Sequence, residues 1–567
     1  MEHGPGPETP GQCAKNCYEV VLREKTSVSE TVTRFGDLSG RAARLWPDAT
    51  AISFRDRRLT FAELDRQVDL AARAMLAHGV RKGEVVGVWM TNRIEFPVIF
   101  LAAQRIGAIV APLNTRYREY DVSYALQLAE CRMLFVVERS GPVEYAGMLK
   151  GALPGFDGQQ FNGAEGFPHL RDVVIVGDAP GDAATSWERF LARADEVSPD
   201  ELEAAAGMVS PQDIALIIFT SGTTGNPKGV MHDHSIVRNI LERHLLWPVE
   251  AGEAVLAFLP AFHTYGLSDN LVAGLLIGTH QVVMDVWDPA EVLDLIARER
   301  VVAMHGFETH YADVLRVQAR QPRDVSSLRF GTLPAGMENS NAVAAAAQGA
   351  LCATVSGWGM SEVGCYVFMS TLDDSLEQRT TTSGRPMPGL EVRIVDPETG
   401  ADRPAGVEGE ILARGYTVMR GYFRDPEATA KTIDADGWLH SGDRGFLRPD
   451  GFMQFLGRYK EMLKVGGENV SPAALEQELL ALVPAIEQVA VVGVPDERLA
   501  EAPCAYVVLK PGMDCALEDV QKACKGKIAS FKIPRHLVVV DSLPMTASGK
   551  VQRVMLARRA RDEMKSA

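Results

Sequence analysis

The chain has 567 residues, enough for two to four domains of ordinary size, and its 46% apolar content can build a large buried core. Lys and Arg number 58 against 74 acidic residues, a formal charge of −16. That balance excludes the basic surface a nucleic-acid backbone requires, though one local basic pocket for a small anion stays compatible with it.

In chain order, residues 1–28 read as a flexible tail. Its "MEHGPGPETPGQCAKNC" has no apolar core and so is no secretory signal. The eight cysteines include no C-x-x-C pair and read as free thiols of a cytoplasmic protein, Cys13 and Cys17 lying in that tail. From Ser29 to about Val137 helical patterns alternate with short apolar runs. Val85–Met90 and Ala108–Leu113 read as buried strands, and Thr60–Gly79 as an amphipathic helix capped by Thr60 and stopped by Gly79. Such alternation implies a mostly parallel sheet covered on both faces. Gly151–Phe167, Gly-rich and without period, reads as a surface excursion.

A second α/β block spans Asp213 to about Ser370. Its apolar runs, such as Leu271–Gly278, fall far short of the roughly 20 residues that a membrane span takes. Beyond it "LEVRIVDPETG", "GEILARG" and "GFMQFLGR" are short strands between turns, a β-rich part. From Gly457 a compact run has strands and helices of its own. The fold class expected is α/β: a large N-terminal domain (29–457) of α/β subdomains plus a β-rich subdomain, and a small mobile α+β C-terminal domain (458–567).

Directly after the apolar run Ile214–Phe219 stands "TSGTTGNPKG", Thr220–Gly229. A surface turn is one reading, since Gly, Ser, Thr, Asn and Pro are common there. A P-loop is disfavoured, because that motif needs Gly-Lys-Ser/Thr opening a helix and here Lys228 precedes Gly229. The third reading is a different phosphate-holding loop. Glycines would bring backbone N–H groups to the oxygens, Ser221, Thr223 and Thr224 would donate, and Lys228 would add charge.

Further motifs follow in order: "LPAFHTYG" (Leu259–Gly266), "GWGMSE" (Gly357–Glu362), "WLHSGDRG" (Trp438–Gly445), "GRYKEMLKVGGENVSP" (Gly457–Pro472) and "LPMTASGK" (Leu543–Lys550). With the loop, and from about Ala51 to Arg553, the chain resembles the adenylate-forming superfamily of acyl-CoA synthetases, firefly-type luciferases and peptide-synthetase adenylation domains. By that resemblance Thr220, Ser221, Gly222, Thr223, Thr224, Gly225 and Lys228 hold the ATP phosphates, and Ser361 bonds the α-phosphate. Glu362 holds Mg²⁺ together with Thr224. Gly357 and Trp358 take adenine, while Asp443 and Arg458 meet the ribose. Lys460 becomes the hinge, Lys464, Gly466 and Gly467 the CoA side, and Lys550 the catalytic lysine. His263 lies beside the acyl pocket and joins Glu362 and Lys550 in the catalytic set. Singly, several of these have plainer readings: a core histidine, a packed tryptophan, a Gly-Asp turn, a solvated lysine.

Two departures touch the acyl pocket, expected to involve His263, His305, Gly306, Leu333 and Gly359. "GTLPAGMEN" places Pro334, which has no N–H, where relatives carry two glycines and Ala-Pro. "VVAMHGFETHYADVL" carries His305, Glu308 and His310, either polar residues of a helix start facing solvent or partners of a polar group or ring on the substrate. The resemblance implies a ligase that joins a carboxylic acid, fatty or aryl/alicyclic, to CoA with ATP and Mg²⁺. The alternative is an acyl-AMP ligase loading an acyl carrier protein, disfavoured by the "GGEN" stretch and by the absence of an insertion between Gly357 and Gly457. A luciferase-like oxygenase would share the same machinery. A binding-only relative would be expected to lack Lys550, Glu362 or Asp443, and all three are present. Neither nucleic acid nor a membrane span is expected, and the oligomeric state, a homodimer included, stays open.

Overall fold

In the first α/β block, Phe61–Ala77 is a helix whose start is closed twice over. Thr60 Oγ1 accepts from Glu63 N at 3.2 Å, and the Glu63 carboxylate accepts from Thr60 N at 2.8 Å, satisfying two donors that a helix start otherwise leaves orphaned. Leu64, Val68, Ala71 and Met75 recur at helical spacing and are buried. The chain leaves through Gly79 at φ 82°, where the missing Cβ removes the usual penalty. This is a computed structural model describing residues 32–565, except 158–160, 162, 164, 178–185, 221–226, 337, 365, 460–462, 466–467, 471, 497–498, 526, 529 and 546–550.

Two sheets organise the large unit. The first has the order Lys228–Asp233, Ile214–Thr220, Ile109–Pro112, Val85–Trp89, Cys131–Val137, Asp172–Val176. All neighbours are parallel except the edge strand Lys228–Asp233, which turns back antiparallel on Ile214–Thr220. The second runs Ala353–Val355, Phe330–Thr332, Ala303–His305, Ala254–Ala257, His280–Val283, Thr50–Phe54, Arg57–Thr60, parallel but for the last pair. Val85–Trp89 and Ile109–Pro112 are buried along their whole length, the mark of strands covered on both faces.

The β-rich part is a four-stranded antiparallel sheet of Leu390–Val395, Gly409–Gly415, Leu439–Leu447 and Met453–Arg458. Beyond it a five-stranded sheet, centred on Ile486–Asp496 and Ala500–Leu509, packs with Pro472–Leu482, Leu517–Cys524 and Arg553–Lys565. Its cores, around Leu475, Val491 and Val507 and around Val492, Tyr506 and Leu556, are separate from that of the large unit.

The sheets decide where a site can lie. Parallel strands leave a crevice beyond their carboxyl ends, and that is where the candidate residues fall. Ala254–Ala257 leads to His263, Ala303–His305 ends on His305, Phe330–Thr332 leads to Leu333, and Ala353–Val355 leads to Gly357 and Trp358. A cleft of about 470 Å³ lined by Gly252, His280, Arg300 and Arg329 lies at the opposite strand ends, away from all of them. Among the described residues no helix is long and apolar enough to cross a membrane.

Candidate active site

The residues expected to meet adenine and ribose come together from three segments. Trp358 ends the short strand Gly357–Trp358 and is buried, and its Nε1 donates to Asp443 Oδ2 at 3.0 Å. Asp443 lies opposite Arg458 in the antiparallel register, and Arg458 Nε donates to Asp443 Oδ1 at 3.0 Å. The backbone N–H of Asp443 donates to Ser441 Oγ. The expected adenine and ribose residues thus share one carboxylate, whose oxygens are acceptors only and suit a diol.

The phosphate end lies beside it. Glu362 sits in the 3₁₀ turn Ser361–Val363, 8% exposed, and Tyr422 Oη donates to Glu362 Oε1 at 2.8 Å. The ring of the same tyrosine lies 4.6 Å from Lys228 Nζ, so one aromatic collects the loop lysine and the acidic residue. Segment 419–423 docks along the Lys228–Asp233 edge: Phe423 N donates to Gly229 O at 2.7 Å and Met231 N to Gly421 O at 3.0 Å. His232 Nε2 donates to Ser361 O at 2.6 Å. Burial holds that imidazole down at about 4, so the ring is neutral at neutral pH and positions the turn without adding charge.

At the acyl end His263 is half-buried and caps the short helix Thr264–Gly266, its Nδ1 accepting from Tyr265 N at 3.2 Å. His305 is buried, shares a hydrogen bond of 3.1 Å with Thr332 Oγ1 and stacks on Trp247 at 4.8 Å between centroids. The Tyr265 hydroxyl also bonds Thr332 Oγ1. Gly306 has no room to spare: a Cβ there would lie 3.3 Å from both Phe258 and His310. Leu333 is fully buried, its N–H donating to Val355 O at 2.8 Å, while Gly359 is exposed. Around Pro334 the turn is held by other donors, Ala335 N to Ser356 Oγ at 2.7 Å and Gly336 N to Asn341 Oδ1 at 3.0 Å.

Of the polar run after His305, His310 is buried and Glu308 half-buried. His310 Nδ1 accepts from Phe307 N at 3.1 Å, and the ring packs on Phe258 and Trp287. Burial depresses His305 and His310 to about 4 and pushes the Glu308 carboxyl up to about 6. The acidic helix start is therefore a desolvated group.

Thr220 ends its strand at the mouth of the loop. Ser221, Gly222, Thr223, Thr224 and Gly225 lie outside the described residues, as do Lys460, Gly466, Gly467 and Lys550. Lys464 is in the strand Leu463–Val465, paired with Glu468–Val470. Five residues before Lys550, the Met545 carbonyl accepts from Arg116 Nη1 of the large unit at 2.6 Å. Tyr422, His232 and Trp247 were not singled out in the sequence. Each meets a partner more than fifty residues away, Glu362, Ser361 and His305 respectively, which no local pattern announces.

A buried carboxylate whose oxygens are acceptors only, together with an acidic residue and a lysine gathered on one tyrosine, suits an enzyme that handles a polar anionic substrate. A family model described as AMP-binding enzyme matches residues 40–423, and one described as AMP-binding enzyme C-terminal domain matches 476–550. The chain belongs to the AMP-binding enzyme family. A 3-[(3aS,4S,7aS)-7a-methyl-1,5-dioxo-octahydro-1H-inden-4-yl]propanoyl:CoA ligase of Rhodococcus jostii (strain RHA1) is 38% identical over 526 residues, 91% of this chain and 96% of the relative. The mitochondrial medium-chain acyl-CoA ligase ACSF2 of Mus musculus is 32% identical over 547 residues, 94% of this chain and 88% of the relative. The anthranilate CoA ligase AuaEII, solved in complex with anthranoyl-AMP, shares the fold at a TM-score of 0.79 and 28% identity, covering 94% of this chain and 98% of that one. The activity that the family and these relatives define is AMP-forming acid–CoA ligation.

Proposed function

We propose that the protein activates a carboxylic acid built on a ring, alicyclic in the first instance, and passes it to CoA through an acyl-AMP. The observation that carries the choice of acid is an aromatic wall running on from Gly357. The Tyr366 ring packs so closely on Gly357 that a Cβ there would lie 2.6 Å from it. Tyr265 stands 5.9 Å from Tyr366 and 5.1 Å from Phe307, and Trp247 stacks on His305. Flat rigid walls suit a ring better than a flexible chain. A relative named for an octahydroindenyl propanoyl acid and a structure holding anthranoyl-AMP point the same way.

In the first step a carboxylate oxygen attacks the α-phosphorus of ATP, the bond to the bridging oxygen breaks, and pyrophosphate leaves. The CoA thiol then attacks the acyl carbon and AMP departs with its oxygen. Trp358 would stack on adenine, Asp443 and Arg458 would hold the ribose, and Ser361 with the 220–228 loop would cradle the phosphates. Lys550 would lie against the charge that grows in the first step, a contribution on the order of 10²–10³ in rate for one positioned group. Glu362 and Thr224 would hold Mg²⁺, a hard ion that takes one or two carboxylates plus phosphate oxygens, and the bound ion would offset phosphate charge. Rotation about Lys460 would then bring Lys464, Gly466 and Gly467 to the thiol.

Pyrophosphate release across a panel of ring and straight-chain acids, with and without CoA, tests this beside Lys550→Ala. A ring acid should give release that needs Lys550 and a matching CoA thioester. A preference for straight-chain acids would overturn the choice of acid, and acyl-AMP that never reaches CoA would point to a carrier protein as acceptor.

A further inference from the structure

Behind the aromatic wall lies a buried polar cluster that the nucleotide chemistry does not use. The helix Ile236–His244 carries Asn239, Arg243 and His244, all buried, and packs on the six-residue π-helix Leu267–Val272. Helices of this wider kind are rare and gather at functional sites. Arg243 and Asp269 form an ion pair with no exposed side-chain surface, and Ser268 Oγ donates to Asp269 Oδ1 at 2.8 Å. The two charges cancel, so the pair locks helix to helix and presents no net charge to a ligand.

Other groups beside that pair are not closed. Trp247 Nε1, His244 Nε2 and both amide atoms of Asn270 are buried with no hydrogen-bond partner among the described residues. His244 Nδ1 donates to Ile240 O at 2.6 Å, which leaves Nε2 as a bare lone pair. Burial and the neighbouring Arg243 keep that ring uncharged. The His244 and Trp247 rings are 3.9 Å apart, so a donor and an acceptor stand side by side. Arg243 lies 4.9 Å from the Tyr366 ring and 5.9 Å from that of Trp247. The cluster therefore borders the wall at Tyr366 and Trp247. Buried polar atoms of this kind are normally completed by something.

We propose that Trp247 and His244 form the distal subsite of the acyl chamber and take a neutral oxygen on the ring of the acid. A keto or hydroxyl oxygen accepts from Trp247 Nε1, and a hydroxyl donates to His244 Nε2. A second carboxylate does not fit, because among the described residues the cation at hand is Arg243, already paired with Asp269. A bare hydrocarbon ring does not fit either, because it leaves the donor and the acceptor unmet. This subsite rests on the ring-acid reading above.

The test compares two propanoic acids on one bicyclic frame, with and without a ring oxygen remote from the carboxyl, by kcat/KM for thioester formation. Sites that hydrogen-bond a substrate oxygen reject the analogue lacking it by far more than apolar pockets discriminate, so the wild-type enzyme should prefer the oxygenated acid by about 100-fold or more. Trp247→Phe should collapse that preference, kcat/KM falling far more for the oxygenated acid than for the unoxygenated one, and His244→Gln should weaken it for the hydroxy acid most. Equal use of both acids by the wild type overturns the subsite alone and leaves the ring-acid reading standing. So does an equal loss on both acids in either variant. Turnover of neither acid, while straight-chain acids react, overturns both.

Discussion

Tyr422 holds Glu362 by a hydrogen bond of 2.8 Å while its ring lies 4.6 Å from the Lys228 ammonium. Tyr422→Phe keeps the ring and removes only the donor. A hydrogen bond to a charged group contributes about 1.5–3 kcal/mol, so acyl-AMP formation should fall by about 10- to 100-fold with the Mg²⁺ dependence shifted to higher concentration. Pyrophosphate release measured against Mg²⁺ reads both effects, and an unchanged curve would show that Glu362 is held without Tyr422. The hydroxyl stays protonated at any useful pH, because burial and the Glu362 carboxylate push it well above the ordinary tyrosine value. Toward the Glu362 carboxylate it is therefore the donor.

Whole elements carry different risks. The double closure at Thr60 serves stability alone, so Thr60→Ala should cost about 1 kcal/mol in denaturant unfolding and leave turnover unchanged. Gly357→Ala should tell on turnover as well as on stability, since the added Cβ would also lie 2.9 Å from Phe368 O. Its Cβ would sit 2.6 Å from Tyr366, forcing the wall inward, and kcat/KM should fall more for bicyclic acids than for short ones. An equal fall for both would mean that the wall is not where the acid lies. Elements of this kind differ in how far the sequence announces them. The helix at Phe61–Ala77 and the strand at Val85–Trp89 were legible because periodicity and capping are local. The antiparallel return of Lys228–Asp233 was not, since its hydrogen bonds go to Ile214–Thr220 and to residues 421–423. The π-helix was equally hidden, because "LSDNLV" reads as any buried helix until Arg243 is seen to meet Asp269. At the site, Trp358, Asp443 and Arg458 stand in recognisable motifs, whereas the meeting of Trp247 with His305 and of Tyr422 with Glu362 is made by the fold.

For the whole molecule, acid should be the first stress to tell. His232, His234, His280, His305 and His310 are each held down to about 4 by burial, against an ordinary 6.5. Below 6.5 the unfolded chain takes up protons that the folded rings refuse. Their contribution is thus complete above 6.5 and is lost as the pH falls toward 4. One such group changes stability by at most about 1.4 kcal/mol per pH unit, so the denaturant midpoint should drop steadily from pH 6.5 to 4.5. A flat midpoint across that window would mean that the rings charge within the fold. The two units are coupled by a contact of another kind, Arg116 to the Met545 carbonyl. Arg116→Ala should slow acyl-AMP formation and spare thioester formation from supplied acyl-AMP. Equal slowing of both would separate this contact from the placement of Lys550.

The six-residue π-helix also bears on how such a chamber could be remodelled. Each residue of an ordinary helix turns its neighbour by about 100°, and a π-helix arises where one extra residue is absorbed without extra length. Deleting a single residue from Leu267–Val272 would restore the tighter winding and swing Asp269 out of register with Arg243. The guanidinium would then lose that carboxylate beside the aromatic wall. On the subsite proposed above, the balance between neutral and anionic groups would then respond to chain length, through one lost codon with no substitution.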